Sequence, residues 1–433
     1  MNAWVRLIYN LLLPVFCLIA APAWVIRMAR RGGLDWRLLQ RIGIYRGCSD
    51  EKVRETIYVH AVSVGEVRMA LRLIAQWQQC DSLRQFVIAA TTSTGFQVAD
   101  REAPEGVRVI YSPLDFPPVL RSVFHRFKPI LIVLIDSEIW PNLLHVSGQS
   151  RIPVALANAR LSERSARRYQ RVKWIAAPML NQIRTVCVQA EEHAESWIKI
   201  GISPERLVIT GSLKFDLDGV QAPMERIEFR DMLESFGSER PIVLAASTHH
   251  GEERLIAEAI REVSGALAVL LPRHVERRQV VLSDLENAGF EVVLRSRFKS
   301  PEKPEAAVFL VDSTGELGEW TALADIVVIG KSFLGRGGQN PVEAILVDAP
   351  VVCGPDMSNF EPLVSELRAA SAIECVSQGE IAEALRAILA SDQRRQSLTD
   401  NARATIDKHR GATDRIIMQL RALIGDCVEQ DPD

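Results

Sequence analysis

The sequence predicts an α/β protein of two doubly wound parallel sheets behind an apolar N-terminal helix. Three observations carry this. Short Val/Ile/Leu runs alternate with helix-like segments from about residue 56 to residue 355, and that alternation is the signature of parallel sheets buried on both faces. The rhythm breaks once, in the Gly- and Pro-containing stretch "KFDLDGVQAPMER" at 214–226, which separates two series of similar size. At 433 residues the chain is also longer than one ordinary core accommodates.

Composition agrees with a folded chain: 48% of residues are hydrophobic and 24% charged. The net charge of −3 gives no global attraction to nucleic acid. Positive charge is local instead, with six arginines and one acid, Asp35, between Arg27 and Arg46.

That cluster follows "LIYNLLLPVFCLIAAPAWVI" at 7–26, an uncharged run of roughly the 20 residues that cross a hydrocarbon core. Trp4, Tyr9 and Trp24 stand near its ends, where interfacial aromatics belong. A cleaved signal peptide fits poorly, because the basic residues come after the apolar run and no small-x-small site follows it. A membrane anchor is expected over residues 1–30. The arginines then place the rest of the chain on the cytoplasmic side, against anionic lipid. Pro14 and Pro22 leave a spanning and a half-inserted helix both open.

The first series supplies strands at "TIYVHAV", "FVIAAT", "VRVIYSP", "ILIVLID", "PVALANA", "TVCVQA" and "RLVITGS"; the second at "PIVLAAS", "LAVLLPR", "EVVLRS", "AVFLVDS", "DIVVIGKS" and "APVVCGP". The domains expected are therefore 31–220 and 221–433, each Rossmann-like, with a closing helical segment from about 379 to 425 packing back across both halves. Ligands in such sheets bind beyond the carboxyl ends of the strands, and a cleft between the two halves is the natural site.

The seven cysteines are scattered, and no C-x-x-C or Cys/His spacing suggests zinc. Reduced thiols in a cytosolic compartment are the plain reading. His249, His250, Glu252 and Glu253 of "STHHGEE" have ligand-like spacing, but no second histidine cluster completes a metal site. Ser247 or Thr248 reads as a helix cap there instead. His60 and His274 read as structural or binding residues, and Trp140 as core.

Polar and glycine-rich clusters recur just past the strand ends, a site pattern: "HAVSVGE", "TTSTG", "DSEIWPN", "NARLSERS" and "GSLKFD" in the first half, then "STHHGEE", "LPRHVERR", "DSTGEL", "GRGGQNPVEA" and "CGPDMSNF". Glu66 ends the first of these and opens a helix, where the positive helix end favours a negative charge.

With these motifs in this order, the chain resembles the 3-deoxy-D-manno-octulosonic acid (Kdo) transferases of lipopolysaccharide synthesis, from the N-terminus to about residue 365. The resemblance implies a membrane-associated, inverting GT-B glycosyltransferase whose two domains face a cleft. It would move Kdo from CMP-Kdo to a lipid A precursor at the cytoplasmic face of the inner membrane, without a cofactor or metal. Glu66 matches the family's proton acceptor; the bland alternative is that it only caps its helix. Asp136 and Lys214 match residues that steady the transition state. Pro272, Arg273, Thr314, Gly315, Glu316, Asn340, Pro341, Val342 and Glu343 match CMP contacts. An arginine at a strand end can grip a phosphate with two donors, and Asn340 and Glu343, three apart, are expected on one helical face.

Four positions depart from the family. Asp136 stands where glutamate is usual, about 1.5 Å shorter in reach; Glu138 is expected on the same face if the strand continues. Thr314 replaces methionine, Gln339 histidine, and Lys331 glycine. Two other readings stay open at this point. One is a membrane-associated GT-B enzyme with another nucleotide sugar. The other is a nucleotide-sugar-binding protein with a decayed site.

Overall fold

The computed structural model describes residues 3–30, 35–45, 55–161, 163–217, 222–237, 239–298 and 307–425. Packing divides the chain into two units, Met1–Asp216 with His409–Asp433, and Leu217–Lys408.

The first unit holds one seven-stranded, all-parallel sheet. Its strands are β1 (Thr56–Ala61), β2 (Gln85–Ala90), β3 (Val107–Tyr111), β4 (Pro129–Ile135), β5 (Val154–Ala159), β6 (Thr185–Val188) and β7 (Leu207–Ile209), in the order β3-β2-β1-β4-β5-β6-β7. Side chains of a strand alternate between faces. Ile57, Val59 and Ala61 of β1 accordingly join one core cluster and Tyr58 the other. Both clusters are buried, so the strands read as unbroken apolar runs. The order reverses direction between β1 and β4, the topological switch point at whose carboxyl edge ligands bind.

The second unit repeats the plan with β8 (Ile242–Thr248), β9 (Leu267–Pro272), β10 (Glu291–Leu294), β11 (Ala307–Leu310), β12 (Ile326–Ile329), β13 (Val351–Cys353) and β14 (Glu374–Cys375), in the order β10-β11-β9-β8-β12-β13-β14. All seven first-unit strands were expected. β14 was not, being two residues of edge strand with a polar first position.

The expected boundary near residue 220 falls at Asp216, and 218–221 of the proposed linker lie outside the described residues. The closing helices also divide. Ile381–Leu389 and Asp392–Asp407 stay with the second unit, but Ala412–Leu423 belongs to the first. There Ile416, Ile417 and Leu420 enter a core cluster. The buried Asp216 carboxylate accepts from the backbone N–H groups of Gly411 at 2.9 Å and Thr413 at 2.7 Å. The second domain therefore ends at Lys408, not residue 433.

The N-terminal helix spans Ala3–Arg30. Among the described residues no helix is long and apolar enough to cross a membrane, so a spanning anchor gains no support. Polar bonds pin the helix start to the first unit. Tyr9 Oη donates to Asp115 Oδ2 at 2.9 Å, and Asn142 Nδ2 donates to Asn10 Oδ1 at 2.6 Å. Leu7, Ile8, Leu11, Leu12, Val15, Phe16, Leu18 and Ile19 remain exposed. Of the basic cluster, Arg37 and Arg41 have described side chains, and both are engaged within the first unit. Arg37 pairs with Asp100 at 2.9 Å. Arg41 is buried, donates to the Thr91 carbonyl and lies over the Tyr111 ring. Arg31, Arg46 and the side chains of Arg27 and Arg30 lie outside the described residues.

Candidate active site

In the first unit, Ser63 caps the helix Val64–Cys80, its Oγ accepting from Glu66 N at 3.3 Å. The half-buried Glu66 carboxylate answers: Oε1 accepts from Ser63 Oγ at 2.7 Å and Oε2 from Val62 N at 2.8 Å. This is a capping arrangement. It fixes the carboxylate over the end of β1, and each oxygen keeps a lone pair for another donor. His60, on β1, is buried, tilted on Trp140 and 3.4 Å from Ser112 Oγ. Burial, then Arg41, pushes its pKa down to about 4, so it is neutral and structural. Trp140 packs against the core, as expected.

β4 ends at Ile135, and Asp136 turns out of the sheet in the left-handed region, φ 60°. Aspartate tolerates that conformation better than glutamate, which gives a local reason for the shorter acid. The strand does not continue, so Glu138 is not placed by strand alternation as expected. Asp136 Oδ1 accepts from Asn158 Nδ2 at 2.6 Å, and Oδ2 lies 3.6 Å from Arg160 Nε. Burial raises the Asp136 pKa, opposed by the Asn158 hydrogen bond and by Arg160 and Lys214; Glu66 raises it further. Glu138 is pushed up to about 7, by burial first, then by Glu66 and Asp136. Three carboxylates and Lys214 thus share one electrostatic field at the ends of β1, β4 and β7. Lys214 is exposed, with Nζ 5.2 Å from the centre of the Phe215 ring.

Asn158 organises these loops. It lies in the left-handed region itself, φ 61°. Its Oδ1 accepts from Leu213 N at 2.9 Å and Ser212 Oγ at 3.3 Å. One buried amide therefore ties the β4 loop to the segment carrying Lys214.

In the second unit, Pro272 closes β9 and Arg273 is exposed just beyond it, its backbone N–H bonded to the Thr248 carbonyl at 3.0 Å. Thr314 and Gly315 are exposed, with Gly315 at φ 81°. The Glu316 carboxylate already accepts from Arg295 at 3.0 Å, from Ser313 Oγ and from Trp320 Nε1 at 3.3 Å. What this segment leaves for a ligand is mainly backbone, which suits the loss of methionine at 314.

The expected helical face of Asn340 and Glu343 is not formed. Asn340 precedes the helix Val342–Leu346, with Pro341 at its cap, and its Oδ1 accepts from Val342 N at 3.2 Å. Glu343 is half-buried, and burial, then Glu319, raises its pKa. In the glycine-rich loop, two backbone donors are already engaged. Gly337 N donates to Asp356 Oδ1 at 2.9 Å and Gly338 N to the Lys331 carbonyl at 3.1 Å. At φ 98° and 65°, a Cβ on either glycine would lie 2.2 Å from Asn359 Nδ2 or Met357 Sδ. Lys331 sits at φ 59°, a conformation glycine adopts without strain, so the departure there is a strained one.

"STHHGEE" is an internal brace. Glu252 is fully buried; its oxygens accept from the backbone N–H groups of His249 at 2.9 Å, Lys331 at 2.5 Å, Phe333 at 3.1 Å and Leu334 at 3.2 Å. Glu253 accepts from Thr248 Oγ1 at 3.0 Å and from both Arg277 amines. The expected cap by Ser247 or Thr248 is absent: Gly251 takes that place without a side-chain bond. Among the described residues no group of three acidic, histidine or cysteine side chains could hold a metal.

Residues 36–217 match the family model described as 3-deoxy-D-manno-octulosonic-acid transferase (kdotransferase). A Haemophilus influenzae protein named 3-deoxy-D-manno-octulosonic acid transferase is 32% identical over 391 residues, 89% of this chain and 91% of that one. The chain belongs to the Kdo transferase family. A Bordetella pertussis Kdo transferase is 30% identical over 419 residues, 93% of this chain and 96% of its own. Among solved structures, a Rickettsia africae glycosyltransferase aligns with TM-score 0.51 at 11% identity, covering 86% of this chain and all of that one. Acinetobacter baumannii MurG aligns with TM-score 0.53 at 13% identity, over 85% and 99%. At such identities the likeness is one of fold, two parallel-sheet α/β domains of the GT-B kind. As a member of the Kdo transferase family, the protein is a glycosyltransferase enzyme.

In this Kdo transferase, reading by residue type and motif missed Asn158, Arg160 and Glu252 as organisers. Each sat inside a quoted motif. The available signal was a polar residue at a strand end; its long-range partners lie 22 to 82 residues away in sequence, so it becomes specific only once the strands are ordered.

Proposed function

We propose that the enzyme transfers Kdo from CMP-Kdo to a lipid A precursor with inversion at the anomeric carbon, Glu66 acting as general base. The observation that carries the reading is the likeness to Kdo transferases along nearly the whole chain, joined to the carboxylate–lysine cluster at the first unit's switch point. An attacking sugar hydroxyl must lose its proton as the new bond forms. Glu66 is held for this by Val62 N and Ser63 Oγ. The hydroxyl oxygen attacks the anomeric carbon from the face opposite CMP, and the bond to the phosphate oxygen breaks. Lys214 and Asp136 set the field around that centre.

Arg273 receives the phosphate of CMP as leaving group. Pro272, Thr314, Gly315 and Glu316 shape the nucleotide site largely through backbone. Asn340, Pro341, Val342 and Glu343 border it, with Glu343 a candidate acceptor for ribose hydroxyls. CMP-Kdo is a substrate, and the chemistry proposed needs no cofactor. The exposed apolar stripe of Ala3–Arg30 supports a helix lying in the cytoplasmic leaflet of the inner membrane, where the acceptor resides among anionic lipids.

The test is transfer from CMP-Kdo, regenerated in situ, to a tetraacylated lipid A precursor, with products read by mass. Glu66→Gln is expected to lose at least ~10²-fold in turnover while retaining CMP binding. A fully active Glu66→Gln overturns the base assignment; wild type that binds CMP but transfers nothing overturns the acceptor or donor.

A further inference from the structure

Two thiols face one another in the second unit. Cys353 ends β13 and Cys375 ends β14, paired in parallel register, with the sulfurs 3.0 Å apart. Cys353 is fully buried, whereas Cys375 is half-buried on the last strand of the sheet. Arg368, on the helix Leu363–Ala369, donates Nε–H to Cys375 Sγ at 2.9 Å and Nη2–H to the Pro355 carbonyl at 3.3 Å. Partial access, a guanidinium on the sulfur and a second thiol behind it are the surroundings of an oxidisable cysteine.

We propose that Cys353 and Cys375 form a peroxide-sensitive pair in which Cys375 attacks and Cys353 resolves. The thiolate of Cys375 attacks one oxygen of hydrogen peroxide. The O–O bond breaks, the departing hydroxide leaves as water after taking a proton, and Cys375 becomes a sulfenic acid. The Cys353 sulfur, giving up its proton, then attacks the Cys375 sulfur; the S–O bond breaks and a second water leaves. Two thiols lose two electrons and one peroxide becomes two waters.

The titration directions fit those roles. The Cys353 contact, then Arg368, brings the Cys375 thiol down to about 7 against burial, while Cys353 is held well above the ordinary thiol range. The sheet tolerates the bond, because neighbouring strands lie about 4.8 Å apart, within the roughly 4.4–6.8 Å of Cα separation that a disulfide spans. The pair also borders the glycine-rich loop. β13 runs directly into Gly354–Asp356, and Asp356 accepts from Gly337 N at 2.9 Å.

The experiment treats the full-length protein with stepwise hydrogen peroxide, blocks remaining thiols and maps peptides by mass. The expected product is a Cys353–Cys375 linked pair, lighter by about 2 Da than the two free-thiol peptides and reversed by dithiothreitol. Cys353→Ala is expected to leave Cys375 as a sulfenic acid captured by dimedone. Cys375→Ala is expected to leave Cys353 unlabelled. Exposed Cys80 is the internal control. Oxidation of Cys80 with no linked pair in the same wild-type sample overturns the proposal, as does dimedone on Cys80 but not Cys375 in Cys353→Ala.

Discussion

Asn158 donates its amide N–H to Asp136 at 2.6 Å and, through the other end of the same amide, accepts from Leu213 N at 2.9 Å. Two strand ends far apart in sequence are thereby held by one buried side chain. Asn158→Ala leaves Leu213 N without its acceptor and Asp136 without its donor. It should destabilise the fold by about 1–3 kcal/mol and slow transfer by roughly 10²-fold through misplacement, with CMP binding unchanged. Asn158→Asp should be worse in turnover, because it sets a like charge beside Asp136. Urea melts, calorimetry with CMP and single-turnover transfer separate these effects; unchanged turnover in both variants would show that Asn158 is structural alone.

Ser63 separates the two roles of Glu66. Ser63→Ala removes the cap and one bond to the Glu66 carboxylate, yet leaves the Val62 N bond. A stability loss of about 1 kcal/mol is expected, with a smaller loss of turnover than Glu66→Gln causes. If Ser63→Ala and Glu66→Gln instead lose stability alike and keep full turnover, the carboxylate is a cap and nothing more.

The pKa of Glu138, raised to about 7 from the ordinary glutamate value of 4.5, has a signed consequence. Between these values the folded state binds more protons at this site than the unfolded chain. Stability therefore falls as pH rises through 4.5 to 7, and the loss is complete above that window. Glu138→Gln should remove this slope from urea titrations. Glu66→Gln, by deleting a negative neighbour, should lower the Glu138 pKa without restoring it fully, because burial is the larger cause. A carbon-detected carboxylate titration reads both.

The strands were legible because runs such as "ILIVLID" are buried on both faces, leaving no polar period to confuse them. β14 was not legible: a two-residue edge strand needs only one paired side, and Glu374–Cys375 carries no periodicity. The clusters at strand ends were legible as loops. Which of their polar groups remain available was not, since that depends on partners distant in sequence. Gly337 loses its donor to Asp356, Glu316 its carboxylate to Arg295 and Trp320, and Glu252 is taken by Lys331, Phe333 and Leu334. That the closing segment packs back across both halves was legible; the point of return was not, because it is held by Asp216, whose neighbourhood "LKFD" reads equally well as a site.

Glu252 carries the largest predicted stability effect in the second unit. Its two oxygens serve four backbone donors in a fully buried setting. Glu252→Gln replaces one acceptor oxygen with an N–H₂ that faces donors, leaving at least one buried N–H unsatisfied. A loss of about 2–4 kcal/mol is expected, together with weaker CMP binding because the loop 331–338 is released. Calorimetry with CMP below the melting range tests it, and native-like affinity would show that the loop holds without the brace.

The N-terminal helix offers a test that leaves both α/β units intact. Leu12 and Phe16 are 61% and 66% exposed and stand four residues apart, on one face of Ala3–Arg30. Burying two such side chains in an acyl boundary contributes roughly 3–6 kcal/mol, so Leu12→Glu with Phe16→Glu should shift the protein from vesicles to the supernatant. Neither residue is in the polar set formed by Tyr9, Asn10, Asp115 and Asn142, so thermal stability should hold. Transfer to an acceptor dispersed in detergent should persist, whereas transfer to acceptor embedded in anionic vesicles should fall at least ~10-fold as surface binding is lost. Retained vesicle binding in the double variant would move the membrane contact away from this stripe, to residues beyond it. Loss of transfer in detergent as well would instead tie the helix to the acceptor itself.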